Sequence, residues 1–395
     1  MISLQFPTIQ WQRQNQLEGR CANSFLIALM RGLAALEVAA AHLRAEMFPG
    51  LSELANPPLH YQMLALATSF AHQAVVIFFL ISGWLVGGSL LNKLDQPGAL
   101  HVYAIDRATR LWTVLVPALC LMLAIGGVIG TVQSGQADFS TANEYSAASF
   151  AGNLLGLQTI VVPTFAGNYA LWSLANETWY YVQFPLLLIA FTGKNRLRQL
   201  GACTALLLMG AALPLPITLY FALWLLGALF SRIRIDCTPP WRIAMLLAAL
   251  AIAAGSRVFG QVDDLEADSF LQHLAYSLPL LALLAALYRP LDLASPLRHC
   301  LARSVHLLSE CSFTLYVIHV PLIKLLRHLG MELFGRDRLA VTAPADYAVY
   351  AGMLLFVLLA SYCSYLLFES NTFRIRRAVK AVLPPSSKRP SMTAA

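Results

Sequence analysis

The feature that most constrains this chain is a series of apolar runs, each close to the length that crosses a membrane. A helix needs about 20 apolar residues to span the hydrocarbon core of a bilayer. Ten runs approach this length, at 24–47, 63–91, 111–132, 171–192, 199–213, 216–231, 242–258, 270–288, 306–329 and 347–368. The sequence therefore predicts an all-α integral membrane protein with about ten transmembrane helices in one bundle.

Composition supports this class and argues against others. Only 12% of the 395 residues are charged, whereas soluble domains contain about 25%. The net charge of +7 comes from basic residues in short loops between the apolar runs, so we expect membrane lipid and no nucleic acid as a partner. The seven cysteines show no C-x-x-C spacing, so neither a metal site nor a disulfide framework is predicted.

The loop charges predict the orientation. With both termini in the cytoplasm, 21 Lys and Arg residues fall on the inner side and 5 on the outer side, which agrees with the positive-inside rule. We expect a polar cytoplasmic segment at 1–23, a membrane domain at 24–370 and a basic, disordered cytoplasmic tail at 371–395. The sequence has no legible signature of oligomeric state.

The first apolar run carries two ionisable residues on one helix face. Arg31 and His42 are eleven positions apart in R-G-L-A-A-L-E-V-A-A-A-H, which places them on the same side of a helix about 16 Å apart. Ionisable groups at such a depth usually face a cavity or a partner. The alternative is an arginine that reaches the membrane surface and a hydrogen-bonded structural histidine.

Polar residues of other runs extend this face into two layers. The predicted inner layer contains Arg31, Arg107 and Arg110. The predicted outer layer contains His42, His72, Asn176 and Glu177. Guanidinium groups bind phosphate well through two parallel hydrogen bonds, so the inner layer suits a phosphorylated ligand. In the outer layer His42 is a candidate general base, and Glu177 a carboxylate that could orient it or bind the acceptor.

Each of these residues also has a structural interpretation. Arg107 and Arg110 can be ordinary positive-inside anchors, and His72 can be a hydrogen-bonded core histidine. Glu177 can be a partner of Asn176 or of a tryptophan N–H. His319, which lies in the middle of the ninth run, is more simply explained as structural.

Five segments of the chain resemble motifs of the acyltransferase-3 family of membrane acyltransferases, and they occur in the family order. They are R-G-L-A-A-L-E-V-A-A-A-H (31–42), F-F-L-I-S-G-W-L (78–85), R-A-T-R-L (107–111), L-W-S-L-A-N-E-T-W-Y-Y-V-Q-F-P (171–185) and S-F-T-L-Y-V-I-H-V-P (312–321). The resemblance implies transfer of an acyl group, usually acetyl from acetyl-CoA, to a hydroxyl of an extracytoplasmic or lipid-linked carbohydrate. It also implies a place in the bacterial inner membrane.

The resemblance also implies roles for individual residues. His42 corresponds to the essential histidine, and Glu177 is assigned with it to catalysis. Arg31, Arg107 and Arg110 are assigned to the donor. Trp172 and Ser173 lie in a matched motif, and together with Asn176 and His72 of the outer layer they are predicted to bind the substrate. Whether His42 only takes a proton or also carries the acyl group is left open.

A different class of protein would also place polar residues within the membrane. A transporter or flippase of a lipid-linked sugar or anion needs such a polar midplane. The sequence shows no internal repeat and no pair of broken helices, which favours the enzyme.

Overall fold

Helices make up nearly all of this protein in the computed structural model. The structure describes residues 6–14, 21–132, 141–259, 267–291 and 295–383. Strands β1 (Thr8–Trp11) and β2 (Ile233–Asp236) pair antiparallel. The α-helices of the described residues are α1 (Ala22–Met47), α2 (Leu59–Ala67), α3 (Ala71–Ser82), α4 (Gly88–Lys93), α5 (Ala99–Ile129), α6 (Ala147–Leu154), α7 (Trp172–Thr192), α8 (Arg196–Ala212), α9 (Leu215–Phe230), α10 (Pro239–Phe259), α11 (Ala267–Ala286), α12 (Pro296–Glu310), α13 (Ser312–Phe334), α14 (Pro344–Leu367) and α15 (Thr372–Val382).

Six segments of the described chain are long and apolar enough to cross a membrane. They are Ala22–Glu53, Leu59–Lys93, Ala99–Ile129, Pro239–Arg257, Asp268–Ala286 and Pro344–Val382. Helices α12 and α13 form a further candidate that bends by 59° at the break between them, and α9 is apolar but shorter. The predicted class, a helical membrane protein with several spans, is confirmed. Ten spans and cytoplasmic termini stay predictions.

Helix α1 lies between two hydrophobic cores. It packs against α3, α12, α13 and α14. Ala34 and Val38 belong to one core, and Ala35 and Ala39 belong to the other. These small side chains let neighbouring helices come close to the α1 backbone. As a result, the helix that carries both ionisable residues of the first motif is surrounded by protein.

Two glycines let the second membrane segment touch α9. Between α3 and α4 the chain forms a π-helical turn, Gly83–Gly87. A Cβ atom added at Gly83 would overlap the carbonyl oxygen of Trp224, and one added at Gly227 would overlap the α3 backbone. Only glycine permits such an approach. This contact places Trp224 Nε1 3.1 Å from Ser82 Oγ, to which it donates a hydrogen bond.

The chain reaches α7 through a buried loop. Phe165 and Asn168 are 1% exposed and Leu171 is 0% exposed. Asn168 Nδ2 donates a hydrogen bond of 2.8 Å to the carbonyl oxygen of Val317, in the middle of α13. Lys324 Nζ binds the carbonyl oxygens of residues 166 and 167 at 2.9 and 3.0 Å. Helix α7 therefore begins inside the protein.

The expectation of a disordered tail from residue 371 is corrected by α15. This helix packs against α5, and Asp106 of α5 binds Lys380 Nζ at 2.6 Å and Arg376 Nε at 3.4 Å. Two basic residues of the predicted tail are thus held by a partly buried carboxylate, and residues 372–382 are helical. Residues 384–395 lie outside the described residues.

Candidate active site

Three arginines from two helices meet at one cavity. Arg31 of α1 and Arg107 and Arg110 of α5 line a space of about 180 Å³, together with Glu177 and Tyr181 of α7. Arg107 and Arg110 share a face of α5 because they are three positions apart. The structure thus brings together the three residues that the sequence assigned to the donor. We call this space the arginine cavity.

The arginine cavity adjoins a wider pocket against the end of α14 and the start of α15. The same three arginines line this pocket, which has a volume of about 420 Å³. Its other lining residues are Glu310, Tyr365, Glu369, Ser370, Thr372, Phe373 and Arg376. Four guanidinium groups therefore face it, which makes the pocket suitable for an anionic ligand with several phosphates. We call it the wide pocket.

The arginines of the cavity differ in their partners. Arg110 Nη1 forms a 2.6 Å ion pair with Glu369 Oε1, and Arg31 Nη2 donates to Ser312 Oγ at 3.3 Å. The Arg107 guanidinium lies over the Tyr181 ring at 5.8 Å, and its buried Nε has no hydrogen-bond partner among the described residues. An unpaired buried donor is costly, so Arg107 is well placed to bind an anion.

Glu177 lies with the arginines and not with His42. Its Oε1 accepts a 2.6 Å hydrogen bond from Ser82 Oγ and a second one from the Tyr181 hydroxyl. The outer-layer position expected from the sequence is therefore corrected. The physical reason is packing between helices, since Glu177 and Tyr181 of α7 and Ser82 of α3 line the same cavity as the arginines.

The partner of His42 is a second histidine. His42 Nδ1 lies 2.8 Å from His319 Nε2 of α13, and His319 Nδ1 lies 3.1 Å from the carbonyl oxygen of Leu315. The two imidazole rings are nearly parallel, 5.1 Å apart, and the Tyr169 ring meets His42 edge-on at 5.0 Å. The side chain within hydrogen-bond distance of His42 is therefore His319, which we interpreted from the sequence as structural.

A pair of hydroxyl groups lies between the arginine cavity and the histidines. Ser173 Oγ and the Tyr316 hydroxyl are 2.6 Å apart, and both groups line the cavity. The Tyr316 ring is also 5.9 Å from the His319 ring. The arginine cavity thus extends to within one side chain of the histidine pair.

The remaining predicted substrate residues lie around this centre. His72 is half-buried and close enough to His42 to interact with it electrostatically. Asn176 is 3% exposed, and the half-buried Trp172 meets Phe79 edge-on at 6.4 Å. The described residues that line the arginine cavity include Ser173 but not these three.

Comparison with known proteins places the chain in a family. The sequence model of the family described as an acyltransferase domain, the acyltransferase-3 family, matches residues 26–368, nearly the whole chain. The chain belongs to the acyltransferase-3 family. This acyltransferase-3 protein matches no curated protein and no solved structure. Family membership and the apolar helices support a membrane acyltransferase with several spans. The Arg110 partner Glu369 and the whole of α15 follow the matched region.

The contacts of two residues, His319 and Glu369, with the candidate site were not predicted from the sequence. His319 lies in the S-F-T-L-Y-V-I-H-V-P segment that contributed to the family resemblance, so its motif was the available signal. Glu369 gave no such signal, because a single carboxylate after an apolar run resembles any loop residue. Among the described residues, no group of three or more His, Cys, Asp or Glu side chains is placed to hold a metal ion.

Proposed function

We propose that this acyltransferase-3 protein transfers an acetyl group from cytoplasmic acetyl-CoA to a hydroxyl of an extracytoplasmic or lipid-linked carbohydrate. Its place would be the inner membrane of a bacterium. The observation that carries the proposal is the continuity of the site. An arginine-lined cavity leads to the Ser173–Tyr316 hydroxyl pair, and Tyr316 lies against His319, the partner of His42.

The donor would bind with its charged end at the arginines. Coenzyme A carries several phosphates at one end and a thioester at the other. Arg31, Arg107, Arg110 and Arg376 offer fork-shaped guanidinium donors that suit phosphate groups. From Arg31 to His42 the α1 axis rises about 16 Å, a span suited to an extended arm with the acyl group at its tip.

His42 would supply the proton transfer. Its imidazole takes the proton of the acceptor hydroxyl while the acceptor oxygen attacks the thioester carbonyl carbon. The carbon–sulfur bond then breaks, and the proton passes to the sulfur, so that the products are the ester and the free thiol. A route through acyl-His42 has the same products and is the alternative.

The acceptor would approach from the His42 side. His72, Trp172 and Asn176 belong to that side in this proposal, and Glu177, held by Ser82 and Tyr181, would help to hold the donor. A carbohydrate fits because its hydroxyls are both the nucleophile and the groups that side-chain amides and imidazoles bind.

Transfer of labelled acetyl groups tests the proposal. Membranes that contain the protein are incubated with [acetyl-¹⁴C]acetyl-CoA, and ester-linked label in the glycan and glycolipid fraction is measured against membranes without the protein. We expect protein-dependent label that hydroxylamine releases. Absence of both label and acetyl-CoA consumption, with the protein folded in the membrane, would contradict the proposal. A transporter of a lipid-linked sugar would give that negative result.

Two variants with matched controls assign the roles. His42→Ala should abolish transfer, whereas His273→Asn changes a buried histidine that is bound to Tyr220 and should stay active. Arg107→Ala should raise the KM for acetyl-CoA about tenfold, as expected for the loss of ~1.4 kcal/mol of phosphate binding. The exposed Arg198 provides the control, because Arg198→Ala removes the same charge away from the cavity.

A further inference from the structure

The two nitrogens of His319 have different partners, and this fixes where its hydrogen lies. Nδ1 is 3.1 Å from the carbonyl oxygen of Leu315, one turn earlier in α13. A carbonyl oxygen only accepts hydrogen bonds, so Nδ1 must be the donor. In a neutral imidazole the other nitrogen, Nε2, then carries the lone pair.

The surroundings of His319 favour this neutral form. Its side chain is 0% exposed, and the partners of its ring in the described chain are His42, Leu315 and Tyr316, none of them a carboxylate. A buried imidazolium without a counter-ion is strongly disfavoured, because the cost of removing its charge from water is not offset.

The hydrogen on His42 follows from the hydrogen on His319. Because His319 Nε2 can only accept, the 2.8 Å contact requires His42 Nδ1 to be the donor. His42 Nε2 is left with its lone pair and makes no hydrogen bond within the described structure. The flanking rings of Tyr169 and His319, at 5.0 and 5.1 Å, oppose rotation of the imidazole.

We propose that His319 is a positioning residue: it holds the Nδ1–H of His42, so that Nε2 of His42 is the nitrogen that takes the acceptor proton. This inference rests on the proposed acyl transfer. The acceptor O–H bond breaks, its proton joins His42 Nε2, and the oxygen forms the new carbon–oxygen bond. The carbon–sulfur bond breaks, and the sulfur leaves with that proton as a thiol.

The histidine partner serves the same purpose as the carboxylate that orients histidine in serine proteases. There the carboxylate fixes the imidazole tautomer and stabilises the imidazolium, and the wrong tautomer costs about 10⁴-fold in rate. In this protein the orienting group is the uncharged imidazole of His319, so its hydrogen bond with the developing imidazolium of His42 is weaker than that of a carboxylate. An uncharged group also avoids the cost of a carboxylate buried beside an apolar core.

Replacement of His319 by residues with and without an acceptor tests the positioning role. Glutamine places an amide oxygen near the position of His319 Nε2, whereas leucine fills a similar volume and accepts nothing. For His319→Leu we expect kcat to fall about 100-fold with the KM for acetyl-CoA changed less than threefold. His319→Gln should keep kcat within about tenfold of the original, since its oxygen can still hold the His42 hydrogen.

Two controls separate positioning from folding. His273→Leu removes another buried imidazole, which is bonded to Tyr220 at 2.6 Å, and it should leave kcat nearly unchanged. Each variant is compared with the original protein for its amount in membranes and for its thermal unfolding midpoint in detergent.

The outcomes are distinct. Unchanged kcat in His319→Leu would overturn the positioning role, and so would equal losses in the leucine and glutamine variants of folded protein. If the original protein itself transfers no acetyl group from acetyl-CoA, the proposed function fails, and this result is separate from those of the variants.

Discussion

Glu369 joins the arginine cavity to the helix that carries His319. Its Oε1 lies 2.6 Å from Arg110 Nη1, while its Oε2 accepts hydrogen bonds from the backbone nitrogen and hydroxyl of Thr314 at 3.1 and 2.5 Å. Thr314 is in the first turn of α13, where backbone N–H groups lack partners within the helix and attract negative charge. One buried carboxylate thus fixes both an arginine of the cavity and the start of α13, which bends by 59° from α12.

Removal of this carboxylate should destabilise the protein. In Glu369→Ala the backbone N–H and the hydroxyl of Thr314 lose their acceptor, and Thr314 is only 1% exposed. We therefore expect a loss of about 2–4 kcal/mol in the free energy of unfolding. Thermal unfolding in detergent measures the effect. Glu310→Ala is the control, since Glu310 is exposed and its hydrogen bond within the described chain is to the Tyr365 hydroxyl. Equal midpoints for the two variants would contradict the joining role of Glu369.

Helix α15 should contribute to donor binding through Arg376. Arg376 lines the wide pocket with the three cavity arginines, whereas Arg374 of the same helix is exposed and does not line it. Arg376→Ala should raise the KM for acetyl-CoA about fivefold, equivalent to ~1 kcal/mol. Arg374→Ala should leave the KM unchanged. A similar KM for both variants would exclude Arg376 from the donor site.

The Tyr316 hydroxyl should matter for turnover more than for donor affinity. It bonds Ser173 Oγ at 2.6 Å, at the end of the cavity nearest the histidines. In Tyr316→Phe we expect kcat to fall about tenfold or more, as for loss of one hydrogen-bonding group near the reacting atoms. Tyr276→Phe removes another buried hydroxyl, one without a hydrogen-bond partner in the described chain, and should be nearly neutral. The kcat and KM of the two variants are compared at saturating acceptor.

The contact between α3 and α9 should not tolerate a side chain at Gly83. A methyl group there would overlap the Trp224 carbonyl oxygen, so the two backbones must separate, and the bond from Trp224 to Ser82 must lengthen. We expect Gly83→Ala to lose about 3 kcal/mol of stability or to fail to accumulate. Gly201 lies in α8 with open space around it, so Gly201→Ala should be neutral or slightly stabilising. The amounts in membranes and the unfolding midpoints are the measurements, and an undisturbed Gly83→Ala variant would contradict the close approach.

Neighbouring residues in the sequence determined much of this protein. The apolar runs follow from hydropathy alone, and most of each predicted run is helical in the structure, although the second is interrupted between α2 and α3 and the ninth crosses the break between α12 and α13. The common face of Arg31 and His42 follows from helical periodicity, as does the pairing of Arg107 with Arg110. Periodicity predicts which residues share a face because the spacing along one helix is fixed.

Tertiary structure decided which helix faces meet. His42 and His319 are 277 positions apart, and the packing of α1 against α13 brings them together. Glu177 lies with the arginines because α7 packs so that Ser82 of α3 binds its carboxylate at the cavity that the arginines line. Helix α15 is held against α5 by the ion pairs of Asp106 with Arg376 and Lys380. Hydropathy and periodicity describe one helix at a time, whereas these contacts depend on close packing between helices from distant parts of the chain.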